Sequence, residues 1–373
     1  METSSPQPPD LPPAPPSPPQ PEPRNLGKHR TGLILFGILT ILIGLLMLLG
    51  AIGNVVQLGI AGGMMEFRMI SLTILGVCLN LVYTVAAIWI GVGLIMARRW
   101  ARSLMVALSG VTFGMMTVMT VLFGVLLILL SGRIPQILNY LDQMGGGPGP
   151  EERGVFVAIL CVVALFMFFI YVILPGIVFL YHRKENVRLA CEFVDRKIRW
   201  TDRVPLTVLG LGIMMFFASV SALSLAGYQR FPLFGMWLTG IPAIVLSVVL
   251  SLAYVVSAVL CLRVKMAGLL LSMALTGLFL LTLLITLAPA TVKDLFQGGA
   301  DYMALAMGEP SAGQLPPEIE EIMPTFSFLN GKLLCLIMGV PLLGYLLYQV
   351  MLLPAFRRGP LQPEEPLPPL VKE

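Results

Sequence analysis

Polar side chains are rare inside the long apolar runs of this chain, and two pairs of them have the types and spacing for hydrogen bonding at membrane depth. Asn80 lies three residues before Tyr83, and Ser251 lies three residues before Tyr254. Residues three apart share one face of a helix, so each pair predicts one polar patch. Because unsatisfied polar groups are costly in hydrocarbon, both patches are expected to face protein or water. Either they join helices by hydrogen bonds, or they line a seam for a solute.

The second chemically active group is the charged segment from His182 to Val204, named here the strap. It carries seven of the twenty-four Lys and Arg residues, between two sets of four apolar runs. Basic side chains beside membrane spans attract anionic lipid headgroups, at about 1 kcal/mol each. The candidate headgroup contacts are Arg183, Lys184, Arg188, Arg196, Lys197, Arg199 and Arg203.

Most catalytic and metal-binding chemistry is missing from the apolar runs. All twenty Asp and Glu residues fall in tails, loops or the strap, and His29 and His182 flank the ends of runs. This disfavours carriers that need a buried carboxylate and proteases that need His and Glu on one helix face. The five cysteines form no CxxC pair, and no phosphate-binding loop or Gly-x-Ser-x-Gly motif is present. We therefore predict no catalytic residue, no metal site and no cofactor.

Hydropathy predicts the elements that must position these residues. The chain of 373 residues is 57% apolar and only 12% charged, which favours an all-α integral membrane protein of about eight transmembrane helices. Pro175, Pro242 and Pro341 fall inside predicted spans and are candidate helix kinks. The predicted spans are 33–52, 69–97, 103–131, 155–181, 205–227, 235–262, 267–289 and 333–353.

The distribution of Lys and Arg orients these spans in the membrane. With the amino terminus inside, the inner segments carry eighteen of these residues and the outer segments carry six. Such a bias is what the positive-inside rule requires, so both termini and the strap are predicted to be cytoplasmic. The net charge of +4 does not indicate nucleic-acid binding, because the basic residues lie beside helix ends instead of forming one patch.

Weak internal similarity divides the spans into two sets of four. The segment LNLVYTVAA at 79–87 matches LSLAYVVSA at 250–258 in five of nine positions, which is an offset of 171 in the numbering. Further along, ALSGV at 107–111 matches ALTGL at 274–278, at an offset of 167. We interpret the smaller second offset as about one helical turn removed from the connection between the two spans.

These matches predict two tandem four-helix units in parallel orientation, because four spans enter and leave on the same side. Tyr83 is expected to superpose on Tyr254, and Pro175 to lie near the depth of Pro341. Eleven prolines in the first 31 residues favour a solvated, disordered tail. In chain order, the predicted parts are a Pro-rich cytoplasmic tail 1–31, a first unit 32–181, the strap 182–204, a second unit 205–353 with an outer loop 291–332, and a disordered cytoplasmic tail 354–373.

Two motifs carry a resemblance to known proteins. The motif CE-x2-D-x3-RWTDR-x-PL runs from Cys191 of the strap to Leu206 at the start of the fifth span, and RRWAR follows the second span. Together with the span pattern, they are similar to uncharacterised bacterial multi-pass (eight-span) integral membrane proteins. The resemblance implies a bacterial inner-membrane setting and implies no activity.

Three classes of function stay open at this point. The favoured one is a non-catalytic integral membrane protein acting as a scaffold, a partner subunit or an envelope sensor, since no catalytic motif is present. The alternative is a transporter or channel for a neutral or lipophilic solute that uses the polar seam between the two halves. A membrane enzyme is the least favoured. The expected partners are the lipid bilayer and either another protein or a second copy of the chain, with no nucleic acid.

Overall fold

A computed structural model describes residues 23–61, 67–131, 153–228, 230–289 and 331–360. Nearly all of these residues are helical, and eight helical segments are long and apolar enough to cross a membrane. The predicted all-α, eight-span class is therefore confirmed. Most of the predicted amino-terminal tail, most of the outer loop 291–332 and the last thirteen residues lie outside the described residues.

The helices follow the predicted order of the spans. The fourth span consists of two α-helices joined by a π-helical turn, and the strap contains two short helices. The elements are α1 (Pro23–Ala61), α2 (Phe67–Ile95), α3 (Arg99–Ser131), α4 (Arg153–Phe168), the π-helical turn (Phe169–Ile173), α5 (Leu174–Arg183), α6 (Glu185–Val194), α7 (Trp200–Arg203), α8 (Leu206–Tyr228), β1 (Arg230–Leu233), β2 (Met236–Thr239), α9 (Ile241–Leu262), α10 (Met266–Leu287), α11 (Gly331–Met351) and α12 (Leu353–Arg358).

Both ends of the described chain are more helical than predicted. Helix α1 begins at Pro23, so residues 23–31 are helical, and the part of α1 that can cross a membrane begins at Arg30. Proline is tolerated there because the first helical turn has no use for its missing N–H. At the other end, residues 354–358 lie in α12 and likewise differ from the predicted tail.

The sixth span begins later than predicted. Residues 235–239 belong to a short antiparallel hairpin of β1 and β2, and Gly240 connects this hairpin to α9. Phe234 and Gly235 form its turn, and their φ angles are 45° and 85°. Positive φ at both central residues is what a type I′ turn requires. The N–H of Gly235 donates to Thr286 Oγ1 at 3.1 Å, which ties the hairpin to α10.

The three candidate kinks have three different settings. Pro175 follows the π-helical turn and is the second residue of α5. Since a proline ring clashes with the carbonyl four residues earlier, a widened turn at this point relieves the clash. Pro341 lies inside α11, which continues through it. Pro242 lies in the first turn of α9, so it begins that helix, and the prediction of a kink there is wrong.

The first two spans are joined by a close approach of their backbones. A Cβ built on Gly37 would lie 2.8 Å from the carbonyl oxygen of Gly91, and a Cβ built on Gly91 would lie 2.8 Å from the carbonyl oxygen of Gly37. Small residues at a crossing let membrane helices come this close. About two helical turns further along, Thr84 Oγ1 donates to the carbonyl oxygen of Gly44 at 3.2 Å.

The connection between α2 and α3 has the same conformation as the connection between α9 and α10. Ala97 and Val264, which are related by the offset of 167, have φ angles of 50° and 54°. The N–H of each of these two residues donates to the carbonyl three positions before it. The N–H of the residue that follows donates to the carbonyl five positions before itself. This pattern is a Schellman cap. Both connections therefore have equal length, and the predicted loss of a turn between these spans is wrong.

The equal connections also change which residues correspond. Tyr83 lies fourteen residues before Ala97, whereas Tyr254 lies ten residues before Val264. Measured from the shared connection, the two tyrosines are about one helical turn apart, so they do not occupy matching positions.

Candidate functional site

The strap is a folded segment that covers one end of the bundle, which we name the strap end. On α6, Val187, Ala190 and Cys191 recur at helical spacing and are buried. Val187 and Cys191 form one hydrophobic cluster with Leu33 of α1 and Trp100 of α3. The apolar face of α6 thus fixes the strap against the ends of the first three spans.

The RRWAR motif supplies the cations that pair with the strap. Arg98 Nη1 lies 3.7 Å from Asp195 Oδ1. Arg99 lies between two acids, 3.5 Å from Glu192 Oε1 and 3.9 Å from Asp202 Oδ1. Every acidic residue among the described residues belongs to the strap. These ion pairs therefore join the strap to the connection between the second and third spans.

Two arginines of the strap itself also pair with these acids. Arg188 Nε donates to Glu192 Oε1 at 2.8 Å, one turn along α6. Arg199 Nε lies 3.9 Å from Asp195 Oδ2, and the Asp195 side chain is only 3% exposed. Burial of a carboxylate requires nearby cations, and Arg98 and Arg199 provide them. Arg188 and Arg199 are thus held by strap acids while each stays 37% exposed, and contact of the strap cations with lipid headgroups stays a prediction.

A hydrogen-bonded chain links α3 to the end of the fourth span. Arg102 Nε donates to the backbone carbonyl of His182 at 3.0 Å. The buried His182 ring donates from Nδ1 to the carbonyl of Val178 at 2.8 Å, which assigns the proton of the neutral ring to Nδ1. The ring lies 5.3 Å from that of Phe36 and 5.2 Å from that of Tyr181. His182 is therefore a structural residue that anchors the start of the strap.

The remaining strap cations face outward. Exposed apolar side chains lie among them on the same segment, namely those of Phe193, Val194 and Trp200. Within the described residues, none of these five cations forms an ion pair, although Arg183 lies 5.8 Å over the ring of Phe179. We name this surface the platform, and it consists of Arg183, Lys184, Phe193, Val194, Arg196, Lys197, Trp200 and Arg203.

The one cysteine of the strap is not arranged for chemistry. Burial raises the pKa of the Cys191 thiol to about 11, although the nearby Arg102 guanidinium opposes the shift. A thiol with such a pKa stays protonated near neutral pH and is a poor nucleophile. Cys191 therefore acts as a small apolar residue of the α6 face.

The predicted seam residues are distributed over two contacts on α8. The ring of Tyr83 stacks on that of Phe217 with centroids 6.0 Å apart. The hydroxyl of Ser251 is hydrogen-bonded to that of Ser219 at 3.0 Å. Tyr254 is buried among the apolar residues of the second half, and Asn80 is half-buried. Ser251 thus acts in helix association, and a solute path along these residues stays a prediction.

Sequence reasoning missed a buried amide near the strap end of the eighth span. The Gln349 side chain is fully buried, and its Nε2 donates to Thr276 Oγ1 on α10 at 3.0 Å. Gln349 lies near the end of a span, where polar side chains are expected to be exposed to solvent. An amide in an apolar run, with a hydroxyl facing it from the preceding span, is the signal that identifies such a site.

No group of three or more His, Cys, Asp or Glu side chains suited to a metal ion occurs in the part of the chain that the structure describes. Comparison of the chain with models of protein families, with curated proteins and with solved structures finds no match.

Proposed function

We propose that this chain is a non-catalytic integral membrane protein of the bacterial inner membrane that acts as a scaffold, partner subunit or envelope sensor through the platform. The observation that carries the proposal is the division of the strap's cations. Arg188 and Arg199 are held by acids, while five other cations and three apolar side chains of the strap are exposed. An exposed surface that combines cations with aromatic residues suits a partner with acidic and apolar groups.

The proposal includes a cytoplasmic position for the strap and both termini. Exposed basic residues also flank Val264 and Phe356 in the sequence. Val264 and Phe356 pack in one hydrophobic cluster with Val204 of the strap, so the basic residues beside them lie at the strap end as well. A concentration of basic residues at one end agrees with the positive-inside rule. The resemblance to the bacterial group rests on the two sequence motifs, which the Arg98–Asp195 and Arg99–Glu192 ion pairs bring together in space.

A tandem duplication of two parallel four-span units is part of the same proposal. Its support is the repeated Schellman cap at Ala97 and Val264. In the alignment that superposes these two caps, Thr84 corresponds to Ser251. Each of these hydroxyls bonds the preceding span of its own half, Thr84 through Gly44 and Ser251 through Ser219.

Site-specific photocrosslinking in native membranes tests the platform. A crosslinking side chain replaces Phe193 or Trp200, and the matched control carries it at Val162, which is exposed on the apolar surface of the fourth span. We expect a discrete protein adduct from the platform positions and lipid adducts alone from Val162. The adduct should weaken when Arg196 and Lys197 are both replaced by Glu. Lipid adducts alone from the platform positions would refute the scaffold proposal and leave a lipid anchor.

The transporter alternative retains one supporting observation. Polar residues from both halves contact α8, where Tyr83 stacks on Phe217 and Ser251 bonds Ser219 two residues further along. If a neutral solute passes there, proteoliposomes containing the chain should take it up faster than empty liposomes. Replacing Ser219 with Leu should abolish that difference. Equal rates over a panel of neutral solutes would exclude this alternative.

A further inference from the structure

A second polar cluster lies near the strap end between α10 and α11, away from the platform. Because Gln349 Nε2 is bonded to Thr276 Oγ1, the amide oxygen Oε1 points elsewhere, and it is buried without a hydrogen-bond partner. Thr276 itself is satisfied, since its hydroxyl donates to the carbonyl of Ser272 at 2.9 Å. The orientation of the amide is thus set by Thr276, which leaves one buried acceptor unpaired.

Two hydroxyls adjoin this unpaired oxygen. The buried Tyr345 Oη lies near the side chains of Gln349 and Ser272, but neither contact has both the distance and the angle of a well-formed hydrogen bond. The Ser272 side chain is fully buried, and its Oγ also lacks a partner. Three unpaired polar atoms from two helices therefore meet in one buried place. Native proteins rarely leave such groups unsatisfied, because a buried unpaired polar atom is costly.

The first half of the chain indicates that packing alone does not require the Ser272 hydroxyl. In the alignment that superposes Ala97 on Val264, Met105 stands in place of Ser272. There, Ser109 Oγ donates to the carbonyl of Met105 at 2.6 Å, just as Thr276 does to that of Ser272. The first half thus carries an apolar side chain at the position where the second half has the Ser272 hydroxyl.

We propose that Ser272, Tyr345 and Gln349 form a binding site for one small uncharged molecule that both donates and accepts hydrogen bonds, with water as the smallest member of this class. The two hydroxyls can donate or accept, whereas Gln349 Oε1 can only accept. Buried waters in proteins typically make about three such bonds. A cation is disfavoured because the groups that face Tyr345 are Gln349, Cys261, Ser272 and Tyr348, none of which supplies a negative charge at neutral pH.

A double-mutant cycle on the purified full chain tests the site by thermal unfolding in detergent. Tyr345→Phe and Ser272→Ala each remove one contact with the bound molecule, so each is expected to lower Tm by about 2–4 °C. The double substitution should lower Tm by less than the sum, because both act on one occupant. Tyr348→Phe is the matched control, since that hydroxyl donates directly to the carbonyl of Thr207 at 2.8 Å and should be additive with Ser272→Ala.

The outcome that overturns the proposal is equally specific. If the hydroxyls are simply unpaired, their removal should raise Tm, and if they serve separate partners, the effects should add. A Tm that rises with sodium but not with choline at equal ionic strength would identify a cation and refute the uncharged ligand. In a high-resolution structure of the unaltered chain, we expect density within hydrogen-bonding distance of all three oxygens. Direct bonds among the side chains without such density would exclude the site.

Discussion

Replacing Arg99 with Met should release the strap, because this one side chain joins it to α3 through two acids. The Arg99–Glu192 atoms are 3.5 Å apart, and the side chains are 18% and 19% exposed. At this distance the attraction is about 5 kcal/mol with an effective dielectric constant of 20 and about 1 kcal/mol in bulk water. The pair to Asp202 is longer, at 3.9 Å. With allowance for solvent screening and for the side-chain entropy, we expect a net loss of about 2 kcal/mol.

A loss of this size can be measured as local opening of the strap. Trypsin cleavage after Lys197, which is exposed between α6 and α7, requires the strap to leave its native contacts. If reclosing is faster than cleavage, the rate follows the open population, which should rise roughly 30-fold for about 2 kcal/mol. Membrane vesicles that expose the strap end are the appropriate sample. Arg357→Met is the matched control, because that side chain is exposed at the same end and no strap acid pairs with it among the described residues.

A second substitution decides whether the effect comes from the ion pair. Glu192→Gln should also increase cleavage, and the double substitution with Arg99→Met should increase it by less than the product of the two. A change of less than threefold for Arg99→Met would show that the apolar face of α6 holds the strap without the ion pairs. Multiplicative effects of the two substitutions would refute a direct coupling between Arg99 and Glu192.

Three further outcomes follow from other parts of the molecule. Gly91→Leu should reduce the free energy of unfolding by about 1–3 kcal/mol through overpacking at the α1–α2 crossing. Gly50→Leu is the control, since nothing lies within 4 Å of a Cβ at that position. Equal effects of the two substitutions in chemical denaturation would contradict the close crossing. Because the pKa of Cys191 is raised, the folded state retains a proton that the unfolded state loses, and stability should fall as the pH rises from 9 to about 11. Cys191→Ala should flatten this part of the pH profile of stability. An unchanged profile would contradict burial of the thiol. A cysteine placed at Lys197 should react only with reagents that enter the cytoplasm, and labelling from outside would overturn the orientation.

The class of fold was predictable because hydropathy is a local property of the sequence. A run of about twenty apolar residues crosses a bilayer whatever its neighbours are, so the eight spans could be read directly. Where a boundary depended on backbone detail, prediction was less accurate. The hairpin at Phe234 and Gly235 interrupts an apolar segment that hydropathy alone assigns to a helix, and its type I′ turn is set by φ angles that hydropathy does not report.

The candidate sites depend far more on tertiary structure. The sequence by itself determined that the strap carries seven Lys and Arg residues and that RRWAR follows the second span. It did not determine that Arg99 meets Glu192 and Asp202, because these partners lie far apart along the chain, with the third and fourth spans between them. Only helix packing decides such long-range contacts. Those contacts then separate Arg188 and Arg199 from the cations that remain exposed.

Polar residues inside the spans show most clearly that the sequence alone does not identify contacts between helices. The sequence by itself places Ser251 and Gln349 in apolar runs, where hydrocarbon offers no hydrogen bonds, but it led us to expect a partner only for Ser251. Which partner each one finds was decided by rotation and depth of the helices. Ser251 meets Ser219 and is satisfied, whereas Gln349 meets Thr276 through one atom and leaves its oxygen unpaired. One residue of difference in helix register turns a side chain by about 100°, so contacts of this kind are settled only when the helices are packed.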